Sequence, residues 1–217
     1  MLFLFLSVDD SHISSTIHMD IPYADWQNAL LKLFFKDISE DGLQKIQTDP
    51  DDCSTWDGIT RTRQIVTGVQ YAHIDVGNFH LPSLPPTVED LFLNFCKQRF
   101  QLHTRSLPRR LQELLLPGNK IYGVIDLTTL PPQLEKVNMW NNRLTGPIVL
   151  TQLPRTMTHI YLDSNPIAQR TVWYDNLPEH IESIDLMGTQ VETVRSVSGF
   201  PVEKRQIFNG VRKANIF

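Results

Sequence analysis

The sequence predicts an α/β horseshoe. It is a solenoid whose parallel strands line a concave face, with a mostly β or irregular convex side and a helical N-terminal cap. Three observations carry this: a dipeptide that returns about every 23 residues, an apolar alternation after each return, and a helical apolar spacing ahead of the first.

Leu-Pro stands at Leu84-Pro85, Leu107-Pro108, Leu130-Pro131, Leu153-Pro154 and Leu177-Pro178, at spacings of 23, 23, 23 and 24 residues. Four positions on come Val88, Leu111, Leu134, Met157 and Ile181; seven on come Leu91, Leu114, Val137, Ile160 and Ile184; nine on come Leu93, Leu116, Met139, Leu162 and Leu186. None of these is polar. The seventh and ninth positions alternate as in a strand with one buried face. Twelve positions on stand Cys96, Asn119, Asn142, Asn165 and Thr189, where the chain leaves the strand. A buried Asn amide there can bond backbone groups of its own and neighbouring coils, which are costly to leave unpaired.

On these residues the chain resembles the leucine-rich-repeat superfamily, over about residues 66–195. Cys replaces Asn in that pattern, so the resemblance places Cys96 with Asn119, Asn142 and Asn165 in one structural ladder rather than as a reactive thiol. The segments Ile121-Tyr122-Gly123-Val124-Ile125-Asp126-Leu127 and Leu144-Thr145-Gly146-Pro147-Ile148-Val149-Leu150 are similar to the subtype found in plant-type receptors and protist surface antigens. Ile125/Leu127 and Ile148/Leu150 predict a second extended segment on the outer side, and frequent Pro argues against outer helices. After Asn165, Gln169, Thr171 and Trp173 stand where Gly, Ile and Leu are expected, as in a coil nearing the far end.

The expected layout is a terminal segment (1–19), an N-terminal cap (20–64), a solenoid of one irregular and five clear repeats (65–195) and a C-terminal cap (196–217). Tyr23, Trp26, Leu30, Leu33 and Phe34 recur at helical spacing within Tyr23–Lys36, with Pro22 suited to the first turn. After the acidic link Asp49-Pro50-Asp51-Asp52, the stretch Cys53–Thr60 around Trp56 resembles the plant-type cap, in which a tryptophan lies between two cysteines. The second cysteine would fall near Arg61 and is missing. Ile65-Val66 and Val69-x-Tyr71 read as a lead-in strand. Gly77, Phe79 and Leu81 align with Gly123, Ile125 and Leu127. Residues 197–217, with Lys204, Arg205, Arg212 and Lys213, close the far end.

Composition narrows the function. The 217 residues carry a net charge of -4, split into -8 over residues 1–60 and +4 over the rest, with no basic concentration of the kind nucleic acid requires. Two cysteines and dispersed histidines give no metal-ligand spacing, and no cofactor is expected. There is no phosphate loop, no Gly-x-Ser-x-Gly elbow and no His-Glu-x-x-His, so no enzyme is expected. The run Leu2–Leu6 is too short to span a bilayer and lacks a basic start, although it could be the remnant of a leader. With no Asn-x-Ser/Thr acceptor the reading leans to an intracellular protein, the cell surface being the alternative.

Function is therefore expected where the period leaves side chains free. Six, eight and ten residues past each Leu-Pro, three rows should face out from the concave strands. They read Asp90, Glu113, Lys136, His159, Ser183; Phe92, Leu115, Asn138, Tyr161, Asp185; and Asn94, Pro117, Trp140, Asp163, Met187. Phe92, Trp140, Tyr161 and Met187 supply large contact surfaces, and Trp and Tyr dominate binding hot spots. Asp90, Glu113, Asp163 and Asp185 give the face an acidic cast that suits a basic or amphipathic protein or peptide. An adhesion-type surface protein and a structural component of an assembly are the competing readings.

Overall fold

The computed structural model describes residues 23–199 and 207–217, so the Leu2–Leu6 run, Pro22, Lys204 and Arg205 lie outside the described residues. Two helices, α1 (Tyr23–Phe34) and α2 (Glu40–Ile46), precede the strands β1 (Ile59–Thr62), β2 (Ile65–Ala72), β3 (Asp90–Asn94), β4 (Glu113–Leu115) and β5 (Tyr122–Gly123). There follow β6 (Lys136–Asn138), β7 (Arg143–Leu144), β8 (Val149–Leu150), β9 (His159–Tyr161), β10 (Thr171–Tyr174), β11 (Ser183–Asp185), β12 (Thr193–Ser196) and β13 (Phe208–Asn209).

The repeat winds into a β-solenoid. Its long sheet runs β1-β2-β3-β4-β6-β9-β11-β13, with β1 antiparallel to β2 and every later pair parallel. Leu91, Leu114, Val137, Ile160 and Ile184 stand opposite one another in register and are all fully buried, forming one continuous interior column. Each such side chain withdrawn from water contributes roughly 1.5–3 kcal/mol, which is why a one-residue register slip is not tolerated there.

Beyond each inner strand the chain turns through a left-handed residue: His73, Phe95, Gly118, Asn141, Ser164, Gly188 and Gly210 all have positive φ. The turn points its N–H at the next coil, as in Phe95 N–H to the Pro117 carbonyl (2.9 Å) and Gly118 N–H to the Trp140 carbonyl (2.8 Å). The pairing ladder thus continues past the strand ends. One residue later comes the amide ladder. Asn142 Nδ2 donates to the Leu116 (2.9 Å) and Met139 (3.1 Å) carbonyls, while its Oδ1 accepts from Ile121 N–H (3.0 Å). Asn119 and Asn165 repeat this one coil earlier and later. Cys96 has no amide to offer, and the fully buried Gln98 stands in by bonding the Cys96 and Gly77 carbonyls and Phe79 N–H.

The outer arcs are less uniform. Leu81–Ser83, Thr104–Ser106 and Leu127–Thr129 are 3-10 turns, β5 pairs with β7, and β8, β10 and β12 form a parallel three-stranded sheet. The second extended segment expected at Ile148/Leu150 exists in part, as β8, but Ile125/Leu127 runs into a turn instead. Asp126 caps that turn by accepting Thr128 N–H at 3.0 Å, a local bond that competes with strand formation. The reading of Gln169, Thr171 and Trp173 in the Gly, Ile and Leu positions is also corrected. Pairing sets Trp173 opposite Val149 and Tyr174 opposite Leu150, so the coil carries one extra residue between Ala168 and Trp173. Val172 and Tyr174 therefore point inward, and the apparent decay is a one-residue slip.

Helix α1 forms where expected but buries only part of the expected stripe, Phe34 fully and Leu30 by half. Gln27, Leu31 and Phe34 are buried, whereas Tyr23, Trp26 and Leu33 are exposed. A polar residue sits in the buried stripe because Gln27 Oε1 accepts Val66 N–H (2.7 Å) and Nε2 donates to the Gln64 carbonyl (3.1 Å), fixing the helix to the start of β2. Phe34 stacks on Phe79 (5.1 Å between centroids) and Phe35 on Trp56 (4.7 Å), joining the helices to one core with the coils.

Candidate functional site: the outward face of the long sheet

Alternation on β3, β4, β6, β9 and β11 leaves every second side chain outside the core. Phe92, Asn94, Glu113, Leu115, Lys136, Asn138, His159, Tyr161, Asp163 and Asp185 are half-buried on this face, while Trp140 (37% exposed) and Met187 (60%) stand furthest out. Pro117, expected to face outward, is buried. Phe92 and Tyr161 are less exposed than a solvent-facing reading requires, since neighbours 4.7–4.9 Å away on a flat sheet shade each other.

Charge is unevenly matched. Lys136 Nζ lies 3.0 Å from Glu113 Oε1 in the adjacent strand, and His159 Nε2 lies 3.4 Å from Glu182. Asp163 and Asp185 have no cation within ion-pair distance among the described residues. Burial first, and the negative charge of Asp185 second, hold the Asp163 carboxyl above its ordinary value. Asp90 is raised in the same way by burial and then by Glu113 and Glu89. Asp185 Oδ1 accepts Met187 N–H (2.9 Å) and Asn138 Oδ1 accepts Trp140 N–H (2.9 Å), so polar residues of the middle row orient the two exposed apolar ones.

Sequence reasoning missed the aromatic strip along the rim. Phe95 stacks on His73 (5.0 Å, 4° between planes) and meets Trp140 edge-on at 5.8 Å. Its ring lies directly over Gly118, where a Cβ would come within 2.2 Å of it. Both His73 and Phe95 hold a left-handed backbone that bulky residues rarely adopt. A signal was present. Eleven positions past each Leu-Pro the sequence reads Phe95, Gly118, Asn141, Ser164 and Gly188, a row rich in the residues that tolerate positive φ.

Neither thiol suits chemistry. Cys53 and Cys96 are both free and buried, and burial pushes the Cys53 thiol up to about 11 and the Cys96 thiol up as well. No group of three or more metal-ligating side chains occurs among the described residues, and no helix there is long and apolar enough to cross a membrane.

A crystal structure of a pollen receptor kinase 3 is similar at a TM-score of 0.59, covering 86% of this chain and 94% of that one at 20% identity. The fold is that of a leucine-rich repeat. A crystal structure of a plant ice-binding protein is also similar, at a TM-score of 0.46 and 17% identity over 85% of this chain and 71% of that one. No protein-family model matches this chain, and no curated protein does.

Proposed function

We propose that this leucine-rich-repeat chain is a non-catalytic interaction module that receives a protein or peptide on the outward face of its long sheet. In this reading the sheet curves into a horseshoe with that face concave. The helices with Cys53–Thr60 cap one end, and residues 196–217 cap the other. The observation that carries the reading is the pairing of Trp140 and Met187, exposed and oriented by their neighbours, with two adjacent carboxylates that no cation among the described residues neutralises. A basic or amphipathic partner supplies both the missing charge and apolar cover.

The test is capture of the partner from the source cell by the wild-type chain and by a Trp140→Ala/Tyr161→Ala variant. Each aromatic at the centre of such a face is worth roughly 2 kcal/mol when it is a hot spot, so capture is lost in the double variant. Its melting temperature stays nearly unchanged, because neither residue belongs to the interior column. Undiminished capture moves the interface off this face.

A further inference from the structure

The outer side of the coils carries a cavity that the sheet face does not explain. It has a volume of about 260 Å³ and lies between Asp37, in the link from α1 to α2, and the 3-10 turns Leu81–Ser83 and Thr104–Ser106. An adjoining hollow of about 320 Å³ shares its Leu102 and His103 wall. The cavity exists because neighbouring outer arcs here are turns, which do not zip together as β8, β10 and β12 do. Its floor is apolar: Phe79 and Leu102 are nearly buried and Phe100 is half-buried. His80 and His103, equivalent residues of consecutive coils, stand on its rim.

Asp37 forms one wall, and the backbone around it is held in place. Ser39 N–H donates to the Val76 carbonyl (2.8 Å) and His80 N–H to the Phe34 carbonyl (2.8 Å). Gly77, with φ +106°, lets the Asp37 carbonyl approach to 2.4 Å from where a Cβ would stand. The Asp37 carboxylate makes no ion pair or hydrogen bond among the described residues. It is also the one formally charged side chain lining the cavity when the histidines are neutral. An apolar cavity of roughly 150 Å³ holds a benzene ring, so the space here admits a ring with a short substituent.

We propose that this cavity binds a small arylalkylamine, its ring against Phe100, Leu102 and the edge of Phe79 and its ammonium on Asp37. An apolar wall and an unpaired carboxylate are the two features such a cation needs, and the rim imidazoles accept or donate a further hydrogen bond. The site is separate from the sheet face and stands whether or not that face binds a partner.

The experiment titrates the full chain with 2-phenylethylamine, 2-phenylethanol and phenylacetate, reading the ring resonances of His80 and His103 by NMR. Saturable shifts at both histidines are expected for the amine, with weaker binding of the uncharged alcohol and none of the anion. Asp37→Asn, an exposed substitution that leaves the melting temperature unchanged, weakens the amine about tenfold, the scale of one charge-assisted bond, and leaves the alcohol unaltered. The Trp140→Ala/Tyr161→Ala chain binds the amine as wild type does. Absence of saturable shifts, equal affinity for amine and alcohol, or binding of phenylacetate as tight as the amine overturns the proposal.

Discussion

The inner and outer halves of each coil are built from the same 23-residue unit and behave differently. On the inner side seven strands keep one parallel register from β2 to β13. On the outer side the same unit becomes a 3-10 turn in three coils and a strand in three others. The inner half is held by a column of fully buried side chains and a buried amide ladder, both of which depend on the neighbouring coils. The outer half answers to local turn chemistry. Long-range packing enforces repetition, and short-range bonds permit variation.

Removing the same group from both halves tests this most severely. Leu114 belongs to the inner column and Leu127 to an outer 3-10 turn, and both are essentially inaccessible. Leu→Ala at a buried site costs about 3–5 kcal/mol, more where the surroundings cannot collapse. Leu114→Ala therefore sits near about 5 kcal/mol by urea denaturation and Leu127→Ala near about 3. Equal losses would break the distinction between the two halves.

The amide ladder should show a gradient toward the end of the solenoid. Asn142→Ala leaves Ile121 N–H unpaired and takes one of two amide donors from each of the Leu116 and Met139 carbonyls, a loss of about 2–3 kcal/mol. Thr189 replaces Asn in the last clear repeat and offers Oγ1 to its own Leu186 carbonyl at 2.6 Å. Thr189→Ala is expected to cost about 1 kcal/mol in the same assay. A Thr189→Ala loss matching that of Asn142→Ala would show that the last coil is held as firmly as the middle ones.

The smallest effect sharpens the contrast between a face built for stability and one kept for contact. Because folding raises the Asp163 carboxyl above its unfolded value, the ionised group disfavours the fold at neutral pH. That penalty fades as pH falls below the folded-state value. Asp163→Asn is expected to raise stability at pH 7 by a few tenths of a kcal/mol, with the gain gone below about pH 3.9, where the carboxyl is neutral in both states. A substitution that destabilises at pH 7 would mean that Asp163 is held by the fold after all.

How much of this was legible in the sequence follows the same division. The interior column could be read because its chemistry repeats: Leu91, Leu114, Val137, Ile160 and Ile184 have no polar member. The stand-in role of Gln98 could not, since a buried glutamine two residues past Cys96 looks like any polar loop residue until its three bonds are seen. Gln27 deceived for the same reason, and of the apolar spacing of α1 Tyr23, Trp26 and Leu33 turned out exposed. The outward rows were placed by period alone, but the rim strip was not. Phe95 falls in a row where glycine and asparagine mark a backbone requirement, and its ring reaches His73 and Trp140 only after the chain has wound. The cavity beside Asp37 joins that residue to the coils of residues 78–82 and 100–106, which no periodic pattern brings together.

The extra residue between Ala168 and Trp173 reaches beyond its own coil. Measured along the inner column from Val69 to Phe208, successive circuits of the chain take 22, 23, 23, 23, 24 and 24 residues, yet every facing pair still lines up. The return path behaves as slack. Insertions there lengthen the perimeter without disturbing the seam, so the rear of such a chain is free to drift and acquire new shapes while the front keeps its spacing.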